Sequence, residues 1–274
     1  MIFFFIMSGL FFSEKNLTIR LKRLLLPWLY FYVIGCIITL IRLLLQHNSI
    51  DWMYFVRPFT GATSDYINTP LWFLWALSVI SLILTLLRLT IQNRWVLSFV
   101  ALLLGIMGYV MGKQHVLSFY YLSVCFLVTP FFLGGNLFRQ YLLKEQNLIV
   151  YLAFICLSVA LYCIRPAWCN ISQCSIPMSY ARWSLLALSA SYGLMGICLY
   201  IDKINMCSKI LSFFGRNSLI ILCTHIFLVF IPNICQSIIP YSYVGAFIGL
   251  IVLLVVEVPI VVFINRYTRF LLAR

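Results

Sequence analysis

LLLPWLYFYVIGCIITLIRLLL, residues 24–45, decides the fold. The stretch carries one charge, Arg42, and a helix of that length at ~1.5 Å per residue spans the ~30 Å hydrocarbon layer of a bilayer. Arg20, Lys22 and Arg23 stand directly before it. Seven further apolar runs follow, at 71–87, 95–112, 117–138, 148–164, 183–201, 217–232 and 243–265. Assigning the gaps alternately to two sides puts 14 Lys and Arg on one side and 4 on the other, with Arg42 inside a run. Cytoplasmic loops carry the excess of Lys and Arg, so the charge-rich side faces inward. The expectation is an all-α, polytopic transmembrane helix bundle with eight full spans.

Composition excludes a soluble globule. Hydrophobic residues make up 64% of the chain and charged residues 9%, too little polar surface to coat a compact body in water. The net charge of +13 sits in short loops beside helix ends, where it orients the chain and meets anionic lipid headgroups; no nucleic-acid partner is implied. Trp28, Trp52, Trp72, Trp95, Trp168 and Trp183 lie near run ends and read as interfacial belts. The longest polar gaps, 46–70 and 165–182, are far below domain size, so residues 1–274 read as one membrane domain. No internal repeat is evident.

Residues 1–12 form a ninth apolar segment, too short to cross a bilayer, that leads into the basic stretch Ser13–Arg23. It reads as the second half of a truncated N-terminal span, and the chain is expected to be N-terminally incomplete.

Phe3-Phe4-Phe5-Ile6-Met7-Ser8-Gly9-Leu10-Phe11-Phe12, the linker Arg20-Leu-Lys-Arg23 and Leu26-Pro27-Trp28 together resemble the acyltransferase 3 family of integral-membrane O-acyltransferases. Leu71-Trp72-Phe73-Leu74-Trp75-Ala76-Leu77, Phe214-Gly215-Arg216-Asn217-Ser218-Leu219 leading to Thr224-His225, and Glu257-Val258-Pro259 match in the same order. The resemblance implies a membrane acyltransferase moving an acyl group, acetyl above all, to a hydroxyl of a cell-surface polysaccharide or glycolipid. It implies acyl-CoA as donor, no bound cofactor, and residence in a bacterial inner membrane. The family's first helix supplies an Arg and a His taken as catalytic base, and no residue here matches either, so the chain as written is expected to be compromised in activity. The alternatives are a transporter or flippase for lipid-linked sugars and a non-catalytic remnant of the fold.

Arg20 and Arg23, spaced i, i+3, share one helical face and suit a phosphorylated donor; topology anchoring explains the same charges. His225 and Glu257 are ionisable groups inside apolar runs, where an unpartnered charge is costly. At ~1.5 Å per residue each lies ~13 Å from an inner basic anchor, nine residues from Arg216 and Arg266 respectively, and Ser8 lies ~10 Å from Lys15. A short outer turn from Pro232 to Tyr243 would bring the two runs together. His225 and Glu257 are therefore expected to share a catalytic polar pocket with Ser8 and Gly9 nearby. Interhelical hydrogen bonding and close packing are the plainer readings.

Arg42 reads as a snorkelling interfacial residue. His47 and His115 lie in outer gaps with no Cys, His or carboxylate spaced to complete a zinc site, so no metal is expected. Of ten cysteines, Cys163, Cys169 and Cys174 cluster near an outer gap, and Cys169–Cys174 is the candidate disulfide. The aromatic and acidic residues of gap 46–70 suit carbohydrate contact no better than an ordinary interfacial loop.

Overall fold

The computed structural model describes residues 1–46, 52, 55, 70–114, 121–164, 166–239 and 242–267. His47, His115 and nearly all of gap 46–70 lie outside them. The described residues form twelve α-helices: α1 (Ile2–Leu10), α2 (Leu17–Leu45), α3 (Leu71–Thr90), α4 (Arg94–Lys113), α5 (Leu122–Leu137), α6 (Arg139–Leu142), α7 (Leu148–Ile164), α8 (Tyr180–Ile201), α9 (Asn205–Arg216), α10 (Ser218–Thr224), α11 (Phe230–Ile238) and α12 (Ser242–Tyr267). Short 3₁₀ turns at Glu14–Asn16, Ile171–Gln173 and His225–Leu228 complete the path, with no strand among the described residues beyond one isolated bridge, Asn170 to Ser175.

Five helices are long and apolar enough to cross a bilayer: α2, α3, α4, α8 and α12. A sixth span is available if α9 and the segment Ser218–Leu228 are taken together, although they meet at a 59° bend. α5 and α7 are apolar but only 16 and 17 residues long, or ~24–26 Å. Eight apolar runs thus become helical segments, while eight full spans are not established by length. The last two runs differ most from expectation. Residues 217–232 are not one rod but α10, a 3₁₀ turn and the start of α11, and Pro232 sits inside α11 rather than opening an outer turn.

In a bilayer the lipid tails are as apolar as the side chains, so helices associate through close packing and hydrogen bonds. That rule places α1 at the centre. A Cβ on Gly9 would lie 1.9 Å from the Phe132 carbonyl oxygen, and one on Gly135 would lie 2.1 Å from that of Ile6. The two glycines let α1 and α5 touch backbone to backbone, with Phe5, Leu10 and Phe132 wholly buried around the contact. α4 packs on the other flank of α5, α2 on α3, α7 on α8 and α11 on α12.

The aromatic belt needs correction. Trp95 and Trp168 are exposed, but Trp28, Trp72 and Trp183 are core residues, each no more than 5% exposed. Trp28 stacks on Tyr32 at 5.6 Å and meets Trp75 at 5.2 Å, so the Leu-Pro-Trp and Leu-Trp-Phe-Leu-Trp stretches form the α2–α3 interface. The Cys169–Cys174 disulfide is absent, and all ten cysteines are free thiols. The paired backbones of Asn170 and Ser175 turn residue 174 into a left-handed conformation, φ 51°, with its Cβ packed against Gly112. Burial there pushes the Cys174 thiol up to about 11, leaving it protonated and unreactive.

Candidate functional site

The end of α1 explains how the site is held. A helix leaves its last four carbonyls without partners. Arg20, near the start of α2, folds back and donates from Nη2 to the Ser8 carbonyl at 3.2 Å and from Nε to Ser81 Oγ at 3.1 Å. Its guanidinium lies between the Phe12 and Phe132 rings, 5.2 and 5.3 Å from their centroids, an arrangement cation–π attraction favours. Asn136 of α5 donates to the carbonyls of Gly9 and Phe12, both at 3.0 Å. Its own side-chain oxygen accepts from Arg88, which also pairs with Glu14 at 2.6 Å. Four segments distant in sequence thus converge on one helix terminus.

Beside that network opens a cavity of about 680 Å³ between α1, α2 and the junction of α9 with α10. Ser8, Arg20 and Arg23 line it together with Ser13, Asn16 and Ser218; Phe3, Phe4, Met7 and Phe11 form its apolar wall. Arg20 is fixed by its hydrogen bonds, whereas Arg23, one turn further along, is exposed at the rim. The cavity therefore offers two guanidiniums and several hydroxyls next to an apolar surface, a combination suited to a ligand with an anionic head. Gly9 is not part of its lining: it is spent on the contact with Phe132.

His225 and Glu257 are brought together elsewhere, on the 3₁₀ turn that follows α10 and on α12. Glu257 is fully buried and its Oε2 accepts from the Thr224 hydroxyl at 2.8 Å. Its Oε1 has no hydrogen-bond partner among the described residues. The adjoining His225 contacts the Ile221 carbonyl through Nδ1 at 2.9 Å, which makes Nδ1 the protonated nitrogen and leaves Nε2 to accept. Neither side chain lines the cavity; Ser218, which does, stands seven residues before His225, ~10 Å along a helix. A second polar tie, Asn265 Nδ2 to Asn217 Oδ1 at 2.7 Å, joins α12 to the bend where α9 meets α10. Sequence reasoning singled out Asn217 only as part of a motif and passed over Asn265, Asn136, Arg88 and Ser81. No group of three or more His, Cys, Asp or Glu among the described residues is placed to hold a metal ion.

The geometry defines a helical protein with apolar spans, a cationic cavity and, apart from it, a buried acid near an imidazole. The family model described as an acyltransferase domain, that of acyltransferase 3, matches residues 1–266, and the chain belongs to that family. It is in general terms a membrane acyltransferase, which implies an acyl donor and an acceptor. No curated protein and no solved structure matches the chain.

Proposed function

We propose that the chain transfers an acetyl group from acyl-CoA to a hydroxyl of a cell-surface polysaccharide or glycolipid in a bacterial inner membrane. The supporting observation is the cavity that gathers Ser8, Arg20 and Arg23 at the cationic end of the bundle. In this reading Arg23 meets the donor's phosphates at the rim, and Arg20 holds α1 in place while presenting its remaining N–H groups. The acceptor hydroxyl oxygen attacks the acyl carbonyl carbon, the carbon–sulfur bond breaks, and the hydroxyl proton ends on the departing thiolate. The proton passes through water in the cavity, and His225 and Glu257, which lie outside its lining, act on the developing charge through their field.

The test is transfer of radiolabel from acetyl-CoA into polysaccharide and glycolipid fractions by membrane vesicles containing the full chain. Incorporation that falls at least tenfold in Arg23→Ala, through a raised donor KM, supports the reading. Absence of label from every acceptor fraction, at normal protein level, overturns it. His225→Ala and Glu257→Ala should each lower kcat about tenfold with the donor KM unchanged, the loss of about 1.4 kcal/mol of charge stabilisation. Full activity in both would remove them from the mechanism.

A further inference from the structure

Phe3 lines two cavities, with the Arg20 site on one side and a second chamber of about 510 Å³ on the other. α1, α4, α5, α7 and α8 wall that chamber almost entirely with apolar side chains. Tyr180, Ser184, Leu188, Ser191 and Met195, at helical spacing on one face of α8, run its length. Those fifteen steps cover ~22 Å, most of the ~30 Å hydrocarbon layer. An apolar chamber of that length suits one extended hydrocarbon chain, whereas a sugar would leave its hydroxyls without partners there.

Its surroundings say which chain. Leu102, Leu157, Leu185 and Leu188 line the chamber and are also exposed on the bundle surface, so it opens sideways into the lipid. Gly134 faces into it, with nothing within 4 Å of a Cβ built there, in contrast to its neighbour Gly135 pressed on α1. At one end Phe138 and Leu142 flank Arg139, which is exposed and forms no ion pair among the described residues. Its guanidinium lies 6.0 Å from the Phe11 ring centroid, beside the donor cavity.

We propose that this groove holds one hydrocarbon chain of an anionic membrane lipid, with the lipid phosphate at Arg139. The bound chain closes the gap between α1 and the α7–α8 hairpin and packs against Phe3, whose other face borders the Arg20 cavity. The site is independent of the transfer chemistry and stands if that reading fails.

Native mass spectrometry of the intact chain, released from nanodiscs of equal phosphatidylglycerol and phosphatidylcholine, tests it. The wild type should retain one phosphatidylglycerol. Gly134→Phe should lower that occupancy at least tenfold, and Arg139→Gln should keep a lipid but lose the preference for the anionic one. A phosphatidylglycerol with a diazirine in its tail guards against misfolding of the variants, because it reads the wild type alone: crosslinks should concentrate on the α5, α7 and α8 faces named above. Even labelling of all helices overturns the proposal. So does displacement of the lipid by palmitoyl-CoA with transfer of the crosslinks to that tail, which would make the groove a donor-chain site. Wild-type retention in Gly134→Phe overturns it as well.

Discussion

At the residue scale, Gly9 and Thr224 show how little slack the bundle has. Adding a methyl at Gly9 sets it 1.9 Å from a backbone oxygen, and backbone cannot swing aside as a long side chain does. Gly9→Ala should therefore destabilise by about 1–3 kcal/mol through forced separation of α1 and α5, measured as a lowered thermal midpoint in detergent. Sequence reading placed Ser8-Gly9 beside a pocket of His225 and Glu257, with close packing as the plainer role; Ser8 instead lines the Arg20 cavity, which neither of those residues lines, and Gly9 packs on α5. Thr224→Val removes the hydroxyl that donates to Glu257 Oε2 and leaves a buried carboxyl group with no hydrogen-bond partner among the described residues. It should cost about 1–3 kcal/mol of stability, the penalty for stranding a buried polar group. Thr224→Ser restores the donor and should restore most of the loss; equal behaviour of Val and Ser would show that the bond carries nothing.

At the element scale, α1 is nine residues long and could not stand alone, since isolated helices that short are marginal even in water. Its C-terminus is held by Arg20 and Asn136, and Asn136 is itself oriented by Arg88. Asn136→Leu keeps the branched shape but removes the donors to the Gly9 and Phe12 carbonyls and the acceptor for Arg88, which keeps its pairing with Glu14. The expected result is a loss of about 3 kcal/mol in stability, about 1 kcal/mol for each of the three lost hydrogen bonds, together with a raised donor KM because Ser8 and Phe11 line the cavity. An unchanged KM with lowered stability would confine Asn136 to the scaffold. None of this cap was legible in the sequence. Asn136 lies 127 residues from Gly9, and no periodicity or spacing rule links positions so far apart. Arg20-x-x-Arg23 was legible because both residues sit on one turn of one helix. The bend after Arg216 was hidden for a different reason. Hydropathy sees residues 217–232 as uniformly apolar, while the polar tie from Asn217 to Asn265 fixes the direction change.

At the scale of the whole molecule, hydropathy and charge carried the class of fold and left the internal arrangement open. An apolar side chain reads the same whether it faces lipid or protein, so Trp28, Trp72 and Trp183 looked interfacial and proved to be core. The same ambiguity makes helix length a weak counter of spans where α5 and α7 fall short of the hydrocarbon thickness. Charge supplies what length does not. The gap with Arg88 and Arg94 belongs to the side that gathers 14 Lys and Arg over the whole chain, and the gap 165–182 to the side that holds 4, so the positive-inside bias sends the α3–α4 and α7–α8 loops to opposite sides. Alkaline phosphatase, active only outside the cytoplasmic compartment, should be inactive when fused after Asn93 and active when fused after Gln173. Green fluorescent protein at the same two points should give the reverse pattern. Between those points the chain passes through α4, α5 and α7, an odd number of passages, so opposite compartments require that all three, or only one, cross the membrane. Matching compartments would mean that an even number cross, and with the short α5 or α7 lying within one leaflet the cavities on either side of Phe3 would need to be assigned to different membrane faces.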